Sequence, residues 1–270
     1  GAERVVVGWE PLPAVTATRD AARAGAPLVW EAADSNVCVD SGAGAAAAAA
    51  AAFTRPAHVV RLDTWVQRVT GVPMEPRAAL GVYDEVSDRY TLYAGSGGSV
   101  RIKSDLAGTL GVPESAMRVV AREVGGNYGT RNAFYPEFAL VAWAAKRLRR
   151  PVKWTCERRE AFLTDYHARD LVSHVELALD AEGNFLALRG VNTSNVGAHG
   201  VSFIPLAKGI AVLPSLYHIP AVSMRGRAVL SNTSPTYPYR SAGRPEVMFV
   251  MERLIDLAAR RHGFDRVALR

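Results

Sequence analysis

The stretch "REVGGNYGTRNAFYPEFALVAW", Arg122–Trp143, joins a glycine-paved turn to an apolar helix. Gly125, Gly126 and Gly129 carry no side chains, so something approaches that backbone closely, either a ligand or a neighbouring strand. Beyond the turn, Phe134, Phe138, Val141, Ala145 and Leu148 recur at steps of four and three, which is one face of an amphipathic helix. Pro136 fits its first turn and Pro151 closes it. Ahead of the turn, "SAMRVVAREVGG" reads as a strand. The glycines therefore sit where a strand passes into a helix, and unpaired backbone N–H groups gather at such a passage.

Two other small-residue turns repeat the situation. "AGSGGS", Ala94–Ser99, lies between a strand and a helix that ends at Gly111. "PYRSAGRPE", Pro238–Glu246, precedes "PEVMFVMERLIDLAARRHG", the strongest helix in the chain, with Pro245 in its first turn and Gly263 as its C-cap. On that helix Asp256 and Arg260 are spaced as an i,i+4 pair. Each turn alone is a weak signal, because neither GxGxxG nor GxxxxGK[ST] is present. Together they read as a composite cradle for an extended polar ligand, with close packing of turns as the plain alternative. Arg240 and Arg244 could pair with phosphate or carboxylate oxygens, or form a salt bridge with Glu246.

Strands are expected at Arg4–Trp9, from Ala57 through "AHVVRLDTWVQRVT", and on both sides of the polar turn Asp84–Asp88. More are expected in "PVKWTCE", on both sides of Asp180–Asn184, and in "PAVSMRGRAVLSN". Residues 14–36 read as a traversing linker, and the alanine run as a helix over about 43–54. Strands and helices mix without strict alternation, so the class is α+β, with mixed sheets and packed helices.

The 270 residues are 49% hydrophobic, enough for a large core, and no run of about 18 apolar residues suggests a membrane span. The opening has no leader-like pattern. The first residue is Gly, which sets the expectation of a piece from a longer polypeptide. Net charge is +6, with the sharpest basic cluster at Lys146, Arg147, Arg149, Arg150 and Lys153, where a helix should end. No aromatic residues interleave with it, which argues against nucleic acid. Cys38 and Cys156 stand too far apart for a cluster or zinc pattern, and the six histidines show no ligand spacing, so no protein-ligated metal is expected. Cys156 reads as a buried thiol, and "DYHARD", Asp165–Asp170, as a solvated, ion-paired turn. No nucleophile elbow or triad can be built.

"MEPRAAL" at Met74, the long segment from Val124 to Asp170, and "YRSAGRPE" at Tyr239 occur in one order. They resemble the molybdopterin-binding large subunit of the xanthine dehydrogenase, aldehyde oxidase and carbon-monoxide-dehydrogenase-like family. The resemblance spans nearly the whole chain. It implies that residues 1–13 are the terminal strand of a preceding hammerhead-type domain, 14–56 a linker and helix, and 57–270 the first of two molybdenum-cofactor-binding domains. It implies a molybdopterin cofactor in the cytosine dinucleotide form, with iron–sulfur clusters and FAD on small and medium partner subunits. The intact enzyme would be a cytoplasmic dimer of heterotrimers that hydroxylates an aldehyde or N-heterocycle, and the isolated piece would be inactive.

Position by position, the resemblance puts Gly97, Gly98, Gly125, Gly126, Asn127, Tyr128, Gly129, Arg240, Ser241, Gly243 and Arg244 at the cofactor. Arg240 is its active-site arginine, and Tyr128 and Asn132 face a small organic substrate. Three departures stand out. The family's glutamine falls at or beside Gly97, its acidic substrate residue near Asn132, and the copper-binding cysteine of carbon monoxide dehydrogenases at Ser241. The family's catalytic glutamate belongs to the second cofactor domain. The competing reading is a non-catalytic anion- or nucleotide-binding module.

Overall fold

The computed structural model describes residues 4–270. Two mixed sheets carry the helices, the larger on both faces, and the short helices α1 (Thr18–Ala21) and α5 (Arg158–Thr164) lie in the connecting segments. The larger has the order β1 (Val37–Gly44), β9 (Ala221–Leu230), β8 (Phe185–Gly197), β7 (His167–Leu179), β2 (His58–Thr70). The smaller has the order β5 (Met117–Val120), β4 (Arg89–Ala94), β3 (Ala78–Asp84), β6 (Val152–Thr155). Among the described strands only β8–β9 and β4–β5 are parallel pairs, and each is joined through a helix, which gives the long crossover that parallel strands require. The α+β expectation holds.

Local chemistry sets the hairpins. The Asp180 carboxylate accepts from the N–H groups of Glu182 and Asn184 at 3.1 and 2.7 Å and from the Asn184 amide at 2.8 Å, while Gly183 takes φ +93°. These bonds, led by that of the Asn184 side chain, hold the Asp180 pKa below its ordinary value. Asp84 does the same for the β3–β4 turn, accepting from the N–H of Val86 and the hydroxyl of Ser87.

The large sheet's inner face packs on α7 (Arg244–His262) through Val247, Val250, Met251, Leu254 and Ile255. The small sheet packs on α3 (Val100–Leu110) and α4 (Pro136–Leu148) through Ile102, Leu106, Phe138, Val141 and Ala142. Gly81 lets β3 lie against α4, since a Cβ there would come within 2.4 Å of the Val141 carbonyl oxygen. The expected buried face of α4 holds through Ala145. Leu148 is 58% exposed in the last turn, just before Arg149 takes φ +52° and ends the helix.

Several expectations are corrected. Residues 5–10 pair with no strand among the described residues, and Val5, Val6, Val7 and Trp9 are exposed, because an extended segment without a neighbour forms no ladder. Residues 1–3 lie outside the described residues. The segment 14–56 is more than linker and helix, since it supplies β1 to the sheet edge beside β9. The alanine helix α2 is shorter than expected, Ala46–Ala52, and sets Ala49 on Ala178, Ala187 and Ala221 of the sheet's outer face. Helix α6 (Ile204–Val212) is absent from the sequence reading, being a short apolar segment in which Lys208 alone is charged, too little to reveal a period. Asp256 pairs with Arg270 at 3.1 Å, not with Arg260. No helix among the described residues is long and apolar enough to cross a membrane.

Candidate functional site

The three small-residue turns meet where the two sheet-and-helix layers join. The first runs from β5 to α4, the second into α7, the third from β4 to α3. Arg240 N–H donates to the Tyr128 carbonyl at 3.0 Å, linking second to first. Gly97 N–H donates to the Arg131 carbonyl at 3.1 Å, linking third to first. The missing side chains permit both contacts. A Cβ on Gly129 would fall 2.2 Å from the Pro238 carbonyl oxygen, and one on Gly97 only 1.6 Å from Asn132 Oδ1 and 2.0 Å from Asn127 Nδ2. Asn127 Nδ2 donates to Asn132 Oδ1 at 2.9 Å and Asn127 Oδ1 accepts from Gly129 N–H at 2.8 Å, so the first turn is braced from within.

The first turn is also clasped from below. Gly125 N–H donates to the Glu75 carboxylate at 2.6 Å, Glu75 N–H returns a bond to the Gly125 carbonyl at 3.1 Å, and Arg131 Nη2 donates to the Glu75 carbonyl at 2.6 Å. Burial pulls the Arg131 pKa below its ordinary value, opposed by the charge of Asp165. Two residues after Glu75, Arg77 is 1% exposed and donates to Asp165, Glu137 and Thr164 at 2.7, 2.7 and 2.6 Å. Sequence reasoning flagged "MEPRAAL" without giving Glu75 or Arg77 a role. Both are charged residues of ordinary type, and only the burial of Arg77 and the backbone partners of Glu75 reveal the task.

The second turn is strained. Arg240, Ser241, Ala242 and Gly243 have φ of 27°, 67°, 33° and 86°, and the left-handed region costs about 1–2 kcal/mol for each side-chain-bearing residue. What offsets it is partly "DYHARD", which is not a solvated turn. Asp165 and Asp170 are 2% and 5% exposed, and Asp170 accepts from Thr18, Trp65 and Arg68 at 2.7, 2.9 and 3.0 Å. Arg169 takes the partner expected for Arg240 or Arg244, donating to buried Glu246 at 2.8 Å. Arg244 instead donates to the Ser241 carbonyl at 3.1 Å.

Of the sequence-predicted residues, Gly97, Asn127, Tyr128, Gly129, Asn132 and Arg240 are brought into mutual contact. Gly98 stays apart, with nothing within 4 Å of where its Cβ would stand. Gly243 packs its backbone on Pro205 at the start of α6. The place is a shelf rather than a pit, since Gly97, Gly98, Tyr128, Asn132, Arg240, Ser241 and Arg244 are all exposed. A broad groove of about 950 Å³ lies elsewhere, on the outer face of the large sheet. Its carboxylates are already paired, Asp40 with Arg225 and Arg227, Glu176 with Arg61 and Arg189, and Asp63 with His174, so none stands free for a ligand.

On the shelf, the N–H groups of Gly98, Gly126, Asn127, Tyr128 and Ser241 find no intramolecular acceptor among the described residues. A row of unpaired backbone donors fits an anionic or oxygen-rich ligand. No cluster of three or more His, Cys, Asp or Glu side chains exists among the described residues. Cys156 is buried, its thiol pushed up to about 11 by desolvation, and Cys38 lies on β1.

A family profile, the molybdopterin cofactor-binding domain, matches residues 29–270. The chain is 32% identical over its whole length to the gamma subunit of the 6-hydroxypseudooxynicotine dehydrogenase complex of Paenarthrobacter nicotinovorans, covering 34% of that protein. It is 28% identical over 99% of its length to the carbon monoxide dehydrogenase large chain of Hydrogenophaga pseudoflava, covering 36% of it. Among solved structures, quinoline 2-oxidoreductase from Pseudomonas putida 86 superposes with a TM-score of 0.93 at 31% identity, over 100% of this chain and 34% of that one. The chain thus spans about a third of the length of the relatives it matches.

Proposed function

The chain belongs to the molybdopterin cofactor-binding domain family, and from that premise we propose that it is the central part of a molybdenum hydroxylase large subunit. The observation that carries the reading is the convergence of three glycine turns into one shelf of unpaired N–H donors. Those donors, at Gly98, Gly126, Asn127, Tyr128 and Ser241, suit the anionic tail and ring oxygens of a pterin in the cytosine dinucleotide form. Gly97, Gly125 and Gly129 let the turns and Glu75 pack closely enough to hold the shelf together, and Arg244 lies at the lip. When bound, the molybdenum cofactor supplies hydroxylation of an electron-poor carbon with oxygen drawn from water.

The chain's own residues would bind and orient. Arg240 presents a permanent cation at the shelf, where it stabilises negative charge developing on the substrate. Tyr128, 43% exposed, offers an aromatic edge. Asn132 has its oxygen engaged by Asn127, which leaves the amide NH₂ as a neutral donor. A neutral donor where xanthine enzymes carry an acid favours a small acceptor substrate, an aldehyde or N-heterocycle. Iron–sulfur and FAD partner subunits would take the electrons, in a cytoplasmic dimer of heterotrimers. The exposed apolar residues Val5, Val6, Val7 and Trp9 suit the last strand of a preceding hammerhead-type domain.

The test is to express the full-length subunit with its partners and measure molybdenum, pterin nucleotide and dye-linked oxidation of aldehydes and N-heterocycles. Stoichiometric cofactor with turnover is expected from the assembly, and none from the 270 residues alone. A full-length protein that binds nucleotides but never molybdenum would favour the binding-module reading instead.

The intact enzyme should also fail as a carbon monoxide oxidase. Carbon monoxide has no C–H bond to hydroxylate, and copper(I) requires a soft thiolate ligand. Ser241, exposed on the second turn, offers a hard hydroxyl. No cysteine lies in any of the three turns. Copper analysis and carbon-monoxide-dependent dye reduction on the complex decide it, and stoichiometric copper with rapid turnover would refute this reading of Ser241.

A further inference from the structure

We infer that Arg169 is a positioning residue for Arg240, acting from β7 through the backbone of the second turn. The inference rests on the reading of Arg240 given above. One prong of the Arg169 guanidinium, Nη1, donates to Glu246 Oε2 at 2.8 Å, and the other, Nη2, donates to the Arg240 carbonyl at 3.0 Å. Glu246 is 3% exposed in the first turn of α7, so the fork ties the Arg240 carbonyl to the helix that follows it. On the other side, Arg240 N–H is held by the Tyr128 carbonyl. Both peptide groups flanking the Arg240 Cα are thereby fixed by outside elements. The Arg240 guanidinium takes no hydrogen bond or ion pair among the described residues, which leaves it free to face a ligand.

The clamp has a reason to exist. Four successive positive φ values, from Arg240 to Gly243, describe a turn that local preference alone does not hold. Arg169 itself takes φ +66°, and its neighbour Asp170 φ +62°. Asp170 is pinned by Arg68, Trp65 and Thr18, so the base from which Arg169 reaches is rigid. The Arg169 guanidinium also lies 5.2 Å from the Tyr239 ring centre, on the residue that enters the turn. A lysine would keep the charge beside Glu246 but could not serve both acceptors with a planar fork.

The experiment uses the intact enzyme with its partner subunits in wild-type, Arg169→Lys, Arg240→Ala and doubly substituted forms. Molybdenum content, kcat, KM and native-state hydrogen exchange over residues 238–243 are measured. For Arg169→Lys the expectation is near-wild-type molybdenum and KM, at least tenfold faster exchange confined to 238–243, and at least a fivefold loss in kcat. The double variant should be no slower than Arg240→Ala alone. Losses that multiply, or exchange that is unchanged or faster throughout α7, would overturn the positioning role. If Arg240→Ala by itself turns over at the wild-type rate, it is the reading of Arg240 that fails. Glu246→Gln keeps an acceptor and removes its charge. It should show the same pattern at smaller amplitude, and supplies the test if Arg169→Lys does not assemble.

Discussion

Arg240→Ala in the intact enzyme should lower turnover by about 2–4 kcal/mol, roughly 30- to 1,000-fold, while molybdenum content stays near wild type. The separation of the two effects follows from how Arg240 is held. Its backbone is what joins the second turn to the first, and alanine keeps that backbone N–H and carbonyl. Among the described residues its side chain makes no hydrogen bond or ion pair whose loss would loosen the shelf. Deleting the guanidinium therefore removes a cation from the reaction's surroundings without dismantling the place where the cofactor would rest. Arg240→Lys should recover only part of the rate, since an ammonium is a point charge without the planar fork. Metal analysis and steady-state rates on the same preparations test this, and a parallel loss of molybdenum and rate would make Arg240 a structural residue.

The shelf was legible in the sequence because glycine is informative. A cleared backbone at Gly97, Gly125, Gly126 and Gly129 announces close approach, and the structure supplies what approaches, which is chiefly the other turns. These glycines are thus taken up by close packing of the turns, and the ligand-cradle reading rests instead on the backbone N–H groups the packed turns leave unpaired. The hairpins at Asp84–Asp88 and Asp180–Asn184, and the helix closed by Gly263, were legible for similar reasons, since turn and cap chemistry is local. What stayed hidden depends on distant partners. The sequence of β1, "VCVDSGAG", has little β-branched or aromatic content after Val39, and its strand form comes from pairing with β9. Arg169, Asp170 and Arg77 look like surface charges until the fold removes their solvent. Charged residues almost never go fully inside unpaired, so burial is the last thing a sequence pattern would assign to them.

Burial also makes Arg77 the residue whose loss should unfold most. Arg77→Met is expected to destabilise the protein by about 3–5 kcal/mol, the usual consequence of removing one partner from a buried ion pair. The guanidinium faces Asp165 and Glu137 on two sides, donates its remaining prong to Thr164, and stacks 3.9 Å from the Tyr135 ring centre. Methionine would fill part of that volume but leave Asp165, 2% exposed, with only Arg131 near it, at 4.0 Å. The damage would come from the stranded carboxylates more than from lost attraction, because desolvating the three charges together already consumes much of what their pairing returns. That gives a second expectation of opposite sign: adding Asp165→Leu and Glu137→Met to Arg77→Met should restore much of the lost stability. Urea denaturation of the 270-residue chain measures both, through the midpoint at unchanged slope. A mild single variant would mean that water reaches this network. A triple variant worse than the single would mean that the network's directional bonds, and not only its neutrality, hold β3, α4 and the Thr164–Asp165 segment beneath the first glycine turn.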